Sequence, residues 1–130
     1  MANANTPQGL RPVRYASGAP YNGAANTYFV PAADSTALFI GDPVIVAGSA
    51  DANGVPTATR ATAAGGALWT GVVVGIINTP TVTTTYRPAS TACYILVADD
   101  PNLLFEVQED AVGGALAAAD VGLNADLVAG

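Results

Sequence analysis

The chain has 130 residues and a net charge of −6, with ten acidic residues against four arginines and no histidine or lysine. This length suits one domain, and the single cysteine, Cys93, excludes an intrachain disulfide. Only 11% of the residues are charged, against roughly a quarter in ordinary soluble domains. A surface with so few charges costs little to desolvate and favours contact with other protein, whereas four scattered arginines argue against nucleic acid.

The first 25 residues predict an extended N-terminal arm. Prolines and glycines recur through GLRPVRYASGAPYNG, residues 9–23, without a helical or strand period. Residues 1–33 hold two arginines and no acid, whereas residues 34–130 hold two arginines and all ten acids. We therefore expect the arm to dock on an acidic surface, either of its own domain or of a neighbour. The residues expected to make this protein interface are Arg11, Pro12, Arg14, Tyr15, Pro20 and Tyr21. A tail without a binding role is the alternative.

Residues 26–130 predict a β-domain, because short apolar or β-branched runs alternate there with turn signals. Asn53-Gly54 predicts a hairpin turn, Pro56 an edge strand, and Gly71 with Gly75 a bulged strand. The strands are predicted at residues 26–30, 38–40, 44–47, 55–62, 68–77, 81–86, 92–98 and 103–108, with a further one at 123–129.

Helix propensity dominates only in ALAAA, residues 115–119, where flanking glycines limit it to about one turn. The predicted fold is therefore all-β: a small β-barrel or β-sandwich of about six to nine short strands, with at most one or two helical turns. Residues 1–25 form the arm of this fold and residues 26–130 its β-domain. The longest apolar stretch, residues 71–77, is too short to span a bilayer, and residues 1–5 lack the features of a secretion signal.

Residues suited to catalysis or metal binding are few. Without histidine or lysine, the commonest general base and the Schiff-base amine are missing. Asp99-Asp100 precedes Pro101 and predicts a turn, and Asp51 predicts a turn in preference to a calcium loop. Three acids could hold a divalent cation, although a solvated strand end is the commoner arrangement: Glu106, Glu109 and Asp110. We expect no enzyme activity, no cofactor and no metal.

Two apolar-strand residues are predicted to lie in the core. Cys93 lies within ACYILVA without a basic neighbour, so we expect a buried and unreactive thiol. Trp69 begins the most apolar segment, which predicts a core residue whose replacement by alanine costs about 3–5 kcal/mol.

Several stretches resemble a family of small structural proteins of tailed bacteriophages, the capsid decoration or cement proteins. The similarity covers residues 9–124 and is most specific in GAPYNG, residues 18–23, and ADDPN, residues 98–102. The resemblance implies a protein made in the host cytoplasm that coats the outer surface of an icosahedral head. Its partners would be the major capsid protein and further copies of itself, as a homotrimer in preference to a dimer, with no nucleic acid and no membrane.

The expected function is therefore structural, because a homo-oligomer that bridges neighbouring major capsid proteins would stabilise the shell. A carbohydrate-binding β-sandwich is one alternative, since Trp69 and the five tyrosines could stack on sugars. Another virion component, such as a head fibre or tail protein, is a second alternative. An enzyme is the least favoured, because the residues for acid–base or nucleophilic catalysis are missing.

Overall fold

The structure, a computed structural model, describes residues 8–62, 68–109 and 114–125. These residues confirm the all-β prediction, because they form seven strands in two sheets and a single turn of 3₁₀-helix at Ala118–Asp120. The strands are β1 Arg11–Tyr15, β2 Asn26–Val30, β3 Pro43–Ala50, β4 Pro56–Arg60, β5 Gly71–Ile76, β6 Cys93–Ala98 and β7 Leu103–Glu106.

Five strands close into a small barrel in the order β2-β4-β3-β5-β6, with β6 returning to pair with β2. Neighbouring strands are antiparallel except β2 and β4, which are parallel. Side chains that alternate along each strand fill the interior. The core cluster consists of Tyr28, Val30, Leu38, Val44, Ala58, Val73, Ile95 and Val97.

Turn and bulge chemistry in the barrel follows the sequence in two places. Asp51 N donates to Val55 O at 2.9 Å and Gly54 has a φ of +81°, which confirms the predicted hairpin turn. The β5–β6 register skips a residue between Val73 and Gly75, which confirms the bulge. The edge position predicted from Pro56 is wrong, because β4 lies between β2 and β3. Pro56 is accommodated as the first residue of its strand.

Two predicted strands are wrong, since residues 38–40 and 81–86 form turns with isolated bridges. Phe39 N donates a hydrogen bond to the Asp42 carboxylate at 2.9 Å, and this bond closes a turn directly after Leu38. The Thr84 hydroxyl donates to Tyr86 O at 2.5 Å, so a side chain competes with strand pairing. Residues 123–125 contain no strand, and the remainder of that predicted strand lies outside the described residues.

A buried arginine that the sequence did not single out holds two loops against the barrel. The Arg87 side chain is fully buried, and its guanidinium donates to four backbone carbonyls. Their donor–acceptor distances are 2.8 Å to Pro31, 2.8 Å to Asp34, 2.5 Å to Thr36 and 2.8 Å to Thr91. The Asp34 carboxylate lies 3.8 Å from the guanidinium and supplies the opposite charge. Arg87 therefore replaces the hydrogen bonds that these loop carbonyls would otherwise make with water.

Candidate binding surface

The N-terminal arm is folded onto the β-domain through a second, two-stranded sheet. β1 pairs antiparallel with β7, with Arg11 opposite Glu106 and Tyr15 opposite Leu103. Ala16 N donates to Asn102 O at 2.7 Å and extends the contact beyond the strand. The Arg11 and Glu106 side chains form an ion pair on the surface, so one arm arginine does meet an acid of its own domain. Such an exposed pair contributes little stability, about 0–1 kcal/mol.

A glycine contact anchors the beginning of the arm. Leu10 is buried, and its backbone N donates to Gly41 O at 3.0 Å. Gly9 and Gly41 approach so closely that a Cβ on Gly41 would lie 2.9 Å from Gln8 O. Gly41 also has a φ of +99°, which favours glycine. The arm can therefore reach this position only because residues 9 and 41 lack side chains.

We expect Gly41→Ala to release the arm from the barrel. The added methyl group would meet backbone atoms that have no alternative rotamer, in addition to the cost of positive φ. Trypsin cleavage after Arg14 should then become at least tenfold faster, as measured by mass spectrometry of timed digests. Gly48→Ala is the matched control, because Gly48 has a φ of +80° and no atom within 4 Å of the added Cβ. Equal cleavage rates in the two variants would show that the contact does not hold the arm.

The six predicted interface residues lie in one hairpin, which we call the arm hairpin, residues 11–21. Two backbone hydrogen bonds join its two sides. Tyr15 N donates to Ala19 O at 2.8 Å, and Tyr21 N donates to Val13 O at 3.3 Å. The Tyr15 and Tyr21 rings pack with centroids 6.3 Å apart, and the Tyr15 hydroxyl donates to the Asn22 side chain at 2.7 Å. Burial raises the pKa of the Tyr21 hydroxyl, and the neighbouring Tyr15 adds to the shift. These contacts order a stretch that was predicted to be merely extended.

Positive charge on the arm hairpin remains available for a partner. Arg14 is exposed and makes no ion pair with the described residues, whereas Arg11 is paired with Glu106. Pro20 is also exposed, and it bridges to Arg14 through the backbone. The hairpin thus presents a guanidinium on a backbone that is already ordered, which lowers the entropy lost on binding.

An apolar groove of about 270 Å³ lies between the arm and the barrel. Its lining includes Leu10, Arg11, Pro12, Tyr21, Ile40 and Val73. Ile40 is 54% exposed, so the groove leaves aliphatic surface in contact with water. A groove with this lining can accept aliphatic side chains of another segment.

The prediction that Trp69 is a core residue is wrong. Trp69 is 39% exposed because it precedes β5 and packs sideways on Phe105, with ring centroids 6.0 Å apart. A second aromatic pair, Phe39 and Tyr86, stacks with centroids 4.9 Å apart, and Phe39 is exposed. The surface therefore holds aromatic area that high hydrophobicity alone would assign to the interior.

The acidic residues that the sequence analysis considered for catalysis or metal binding accept hydrogen bonds that stabilise local turns and loops, as far as the structure describes them. Asp100 accepts from Asn102 N at 2.8 Å and forms the predicted turn. The Asp51 carboxylate accepts hydrogen bonds from the Tyr94 hydroxyl, Val55 N and Asn53 N. The bond from Tyr94, followed by those from Val55 and Asn53, lowers the pKa of this carboxyl group. Glu109 accepts from Leu116 N at 2.7 Å, and Asp110 lies outside the described residues.

Asp99 has a different environment, because it lines a surface cleft together with Asn26 and Asp100. Its carboxylate accepts from the Asn26 amide at 2.9 Å and from the Tyr28 hydroxyl at 2.8 Å. Burial, followed by the bond to Asp99, raises the pKa of Tyr28 to about 12. Within the described ranges, no group of three or more acidic or cysteine side chains is arranged to hold a metal ion.

Cys93 is buried as predicted, and burial raises the pKa of its thiol.

The described residues contain no helix with the length and hydropathy needed to cross a bilayer. Comparison of the chain with protein-family models, with curated proteins and with solved structures gave no match.

Proposed function

We propose that the chain is a structural virion protein that binds the outer surface of an icosahedral phage head. It would act as a homo-oligomer, with a trimer favoured over a dimer, and would bridge neighbouring major capsid proteins. The observation that supports this proposal is the arm hairpin, which is ordered against β7 and yet keeps Arg14 exposed and unpaired among the described residues. No catalytic residue, cofactor or metal is assigned.

The two stretches that most resemble decoration proteins belong to the same part of the fold, because residues that flank 18–23 contact residues 98–102. Residues 18–23 complete the arm hairpin, and residues 98–102 form the end of β6 and the turn before β7. Ala16 N donates to Asn102 O, and Ala24, Ala25, Asp99 and Asp100 line one cleft. Because both stretches build the same region, the resemblance and the geometry support one interface.

Binding in many copies would make modest contacts sufficient. Each copy could place its arm hairpin on a different shell subunit. The contacts made by one oligomer would then act together across the boundary between those subunits. A surface in which 11% of residues are charged is inexpensive to desolvate. The exposed Arg14 would add a charge-assisted hydrogen bond to a carboxylate of the major capsid protein and fix the register of docking.

We expect Arg14→Gln to weaken shell binding about tenfold, as one lost charge-assisted contact predicts. The measurement is co-sedimentation of the protein with heads assembled from the major capsid protein encoded with it. Arg60→Gln is the matched control, since it removes the same charge from the barrel strand β4. Electron cryomicroscopy of saturated heads should show the protein outside the shell. Heads without external density at saturating protein concentration would overturn the proposal.

The exposure of Trp69 favours carbohydrate binding as a second candidate function. An indole that is partly open to solvent beside Phe105 can stack on a sugar ring. Titration of the protein with a glycan panel tests this function, because bound sugar would shift the fluorescence of Trp69. An unchanged spectrum across the panel would exclude it for those glycans.

A further inference from the structure

The tail segment, residues 114–125, carries apolar side chains that the described part of the chain leaves uncovered. Leu116, Val121 and Leu123 are 71%, 84% and 69% exposed, and no residue of its 3₁₀ turn is buried. The segment nevertheless has local order, because Ala117 N donates to the Asp120 carboxylate at 2.8 Å. Three exposed aliphatic side chains within eight residues form a contact surface that no described residue of the chain covers.

The apolar groove between the arm and the barrel is complementary to these exposed aliphatic side chains. It is concave, its lining is mainly aliphatic, and Ile40 at its side is more than half exposed. Its position also fits, because Arg11 on the groove lies opposite Glu106, the last residue of β7. Strand β7 therefore ends beside the groove, and the tail segment follows β7 in the sequence.

Charge favours the same pairing. From Asp99 onwards the sequence contains seven acids and no base, and within the tail segment the charge is that of Asp120. Arg11 on the groove lining is already paired with Glu106, so the unpaired positive charge in the strand that borders the groove is that of Arg14. An acidic segment with aliphatic side chains is thus matched in polarity to the aliphatic groove and in charge to Arg14 of the strand that borders it.

We propose that the groove of one copy binds the tail segment of a second copy. The second copy is favoured over the chain's own tail because that tail stands outside the groove, with its aliphatic side chains in water, although β7 ends beside it. This contact is the one that would join the copies of the proposed homo-oligomer, and in that respect it rests on the proposed function. It needs no shell, so it can be tested on the isolated protein.

Cross-linking between two separately purified full-length variants tests the contact. Ile40→Cys places a thiol on the groove and Leu123→Cys places one on the tail segment, while the native Cys93 is buried. When the two variants are mixed and mildly oxidised without shells, we expect a disulfide-linked dimer that contains one chain of each kind. Ser35→Cys, at an exposed site outside the groove lining, should link to Leu123→Cys at least tenfold less.

Sedimentation velocity provides a second measurement that does not depend on disulfide formation. Ile40→Asp and Leu123→Asp should each weaken self-association at least tenfold, whereas Leu68→Asp, at a side chain that is also exposed, should not. A wild-type protein that stays monomeric at every concentration would overturn the proposal. So would a double variant, Ile40→Cys/Leu123→Cys, that closes its disulfide only within one chain. Normal cross-linking without shell binding would leave this contact standing and reject the virion role.

Discussion

Arg87→Ala should destabilise the protein by about 3–5 kcal/mol, which is a large share of the stability of a domain of this size. The guanidinium is fully buried and is the donor to carbonyls at Pro31, Asp34, Thr36 and Thr91. Two of these oxygens keep a second donor, since Asp34 N bonds to Pro31 O and Ser90 N to Asp34 O. The carbonyls of Thr36 and Thr91 receive no other hydrogen bond from the described residues, and the Asp34 carboxylate loses its counter-charge.

Urea denaturation followed by far-UV circular dichroism measures this loss as a lower transition midpoint. Arg87→Lys should recover only part of it, because an ammonium group cannot reach acceptors in two loops as the planar guanidinium does. Arg60→Ala is the control for loss of an arginine, since Arg60 makes no ion pair with the described residues and should change stability by less than about 1 kcal/mol. A free energy of unfolding for Arg87→Ala within 1 kcal/mol of wild type would contradict the role given to this side chain.

The strands that the sequence predicted best are those in which local pattern and burial agree. The run ACYILVA predicted a buried strand, and it forms β6, in which Cys93, Ile95 and Val97 are buried. NTYFV likewise forms β2 at its predicted bounds. Both runs are rich in β-branched and aromatic residues and end at turn signals, so the sequence alone predicts the strand.

Features that depend on distant partners could not be predicted in this way. β1 contains Pro12 and two arginines, and it becomes a strand because β7, some ninety residues later, offers it an edge. The role of Arg87 likewise depends on carbonyls in the loop around Asp34, far away in the sequence. Trp69 was misplaced because high local hydrophobicity does not reveal that it lies before β5, against Phe105.

The arm residues show an intermediate case. Their charge and their prolines predicted an interface, and the structure gathers Arg11, Pro12 and Tyr21 at one groove. The sequence did not indicate Ile40 as the opposite wall, because this residue borders a groove only when the Gly9–Gly41 contact sets the arm on the barrel. The contact between residues 9 and 41 therefore places the charged arm against the barrel, and the apolar groove forms between them.

Leu38→Ala should cost about 2–5 kcal/mol, although Leu38 lies in no strand. Its side chain is fully buried in the core cluster with Val30, Val44 and Ile95. Its backbone exchanges hydrogen bonds with Arg87 in both directions, at 3.0 and 2.8 Å, so the surrounding loop is held in place and cannot collapse fully into the cavity. Truncation therefore adds a cavity cost to the lost transfer free energy.

Ile40→Ala is the matched control for Leu38→Ala, because it removes aliphatic side-chain carbons two residues away from a side chain that is 54% exposed. The two residues belong to the same apolar run, LFI, which the sequence treated as one strand. The turn closed by the Asp42 carboxylate separates them, so that Leu38 points inward and Ile40 lies on the groove. Thermal unfolding of both variants should show a large loss for Leu38→Ala and a change below about 1 kcal/mol for Ile40→Ala. Equal losses would mean that the run packs as a strand with both side chains inside, and the groove would then lose one of its walls.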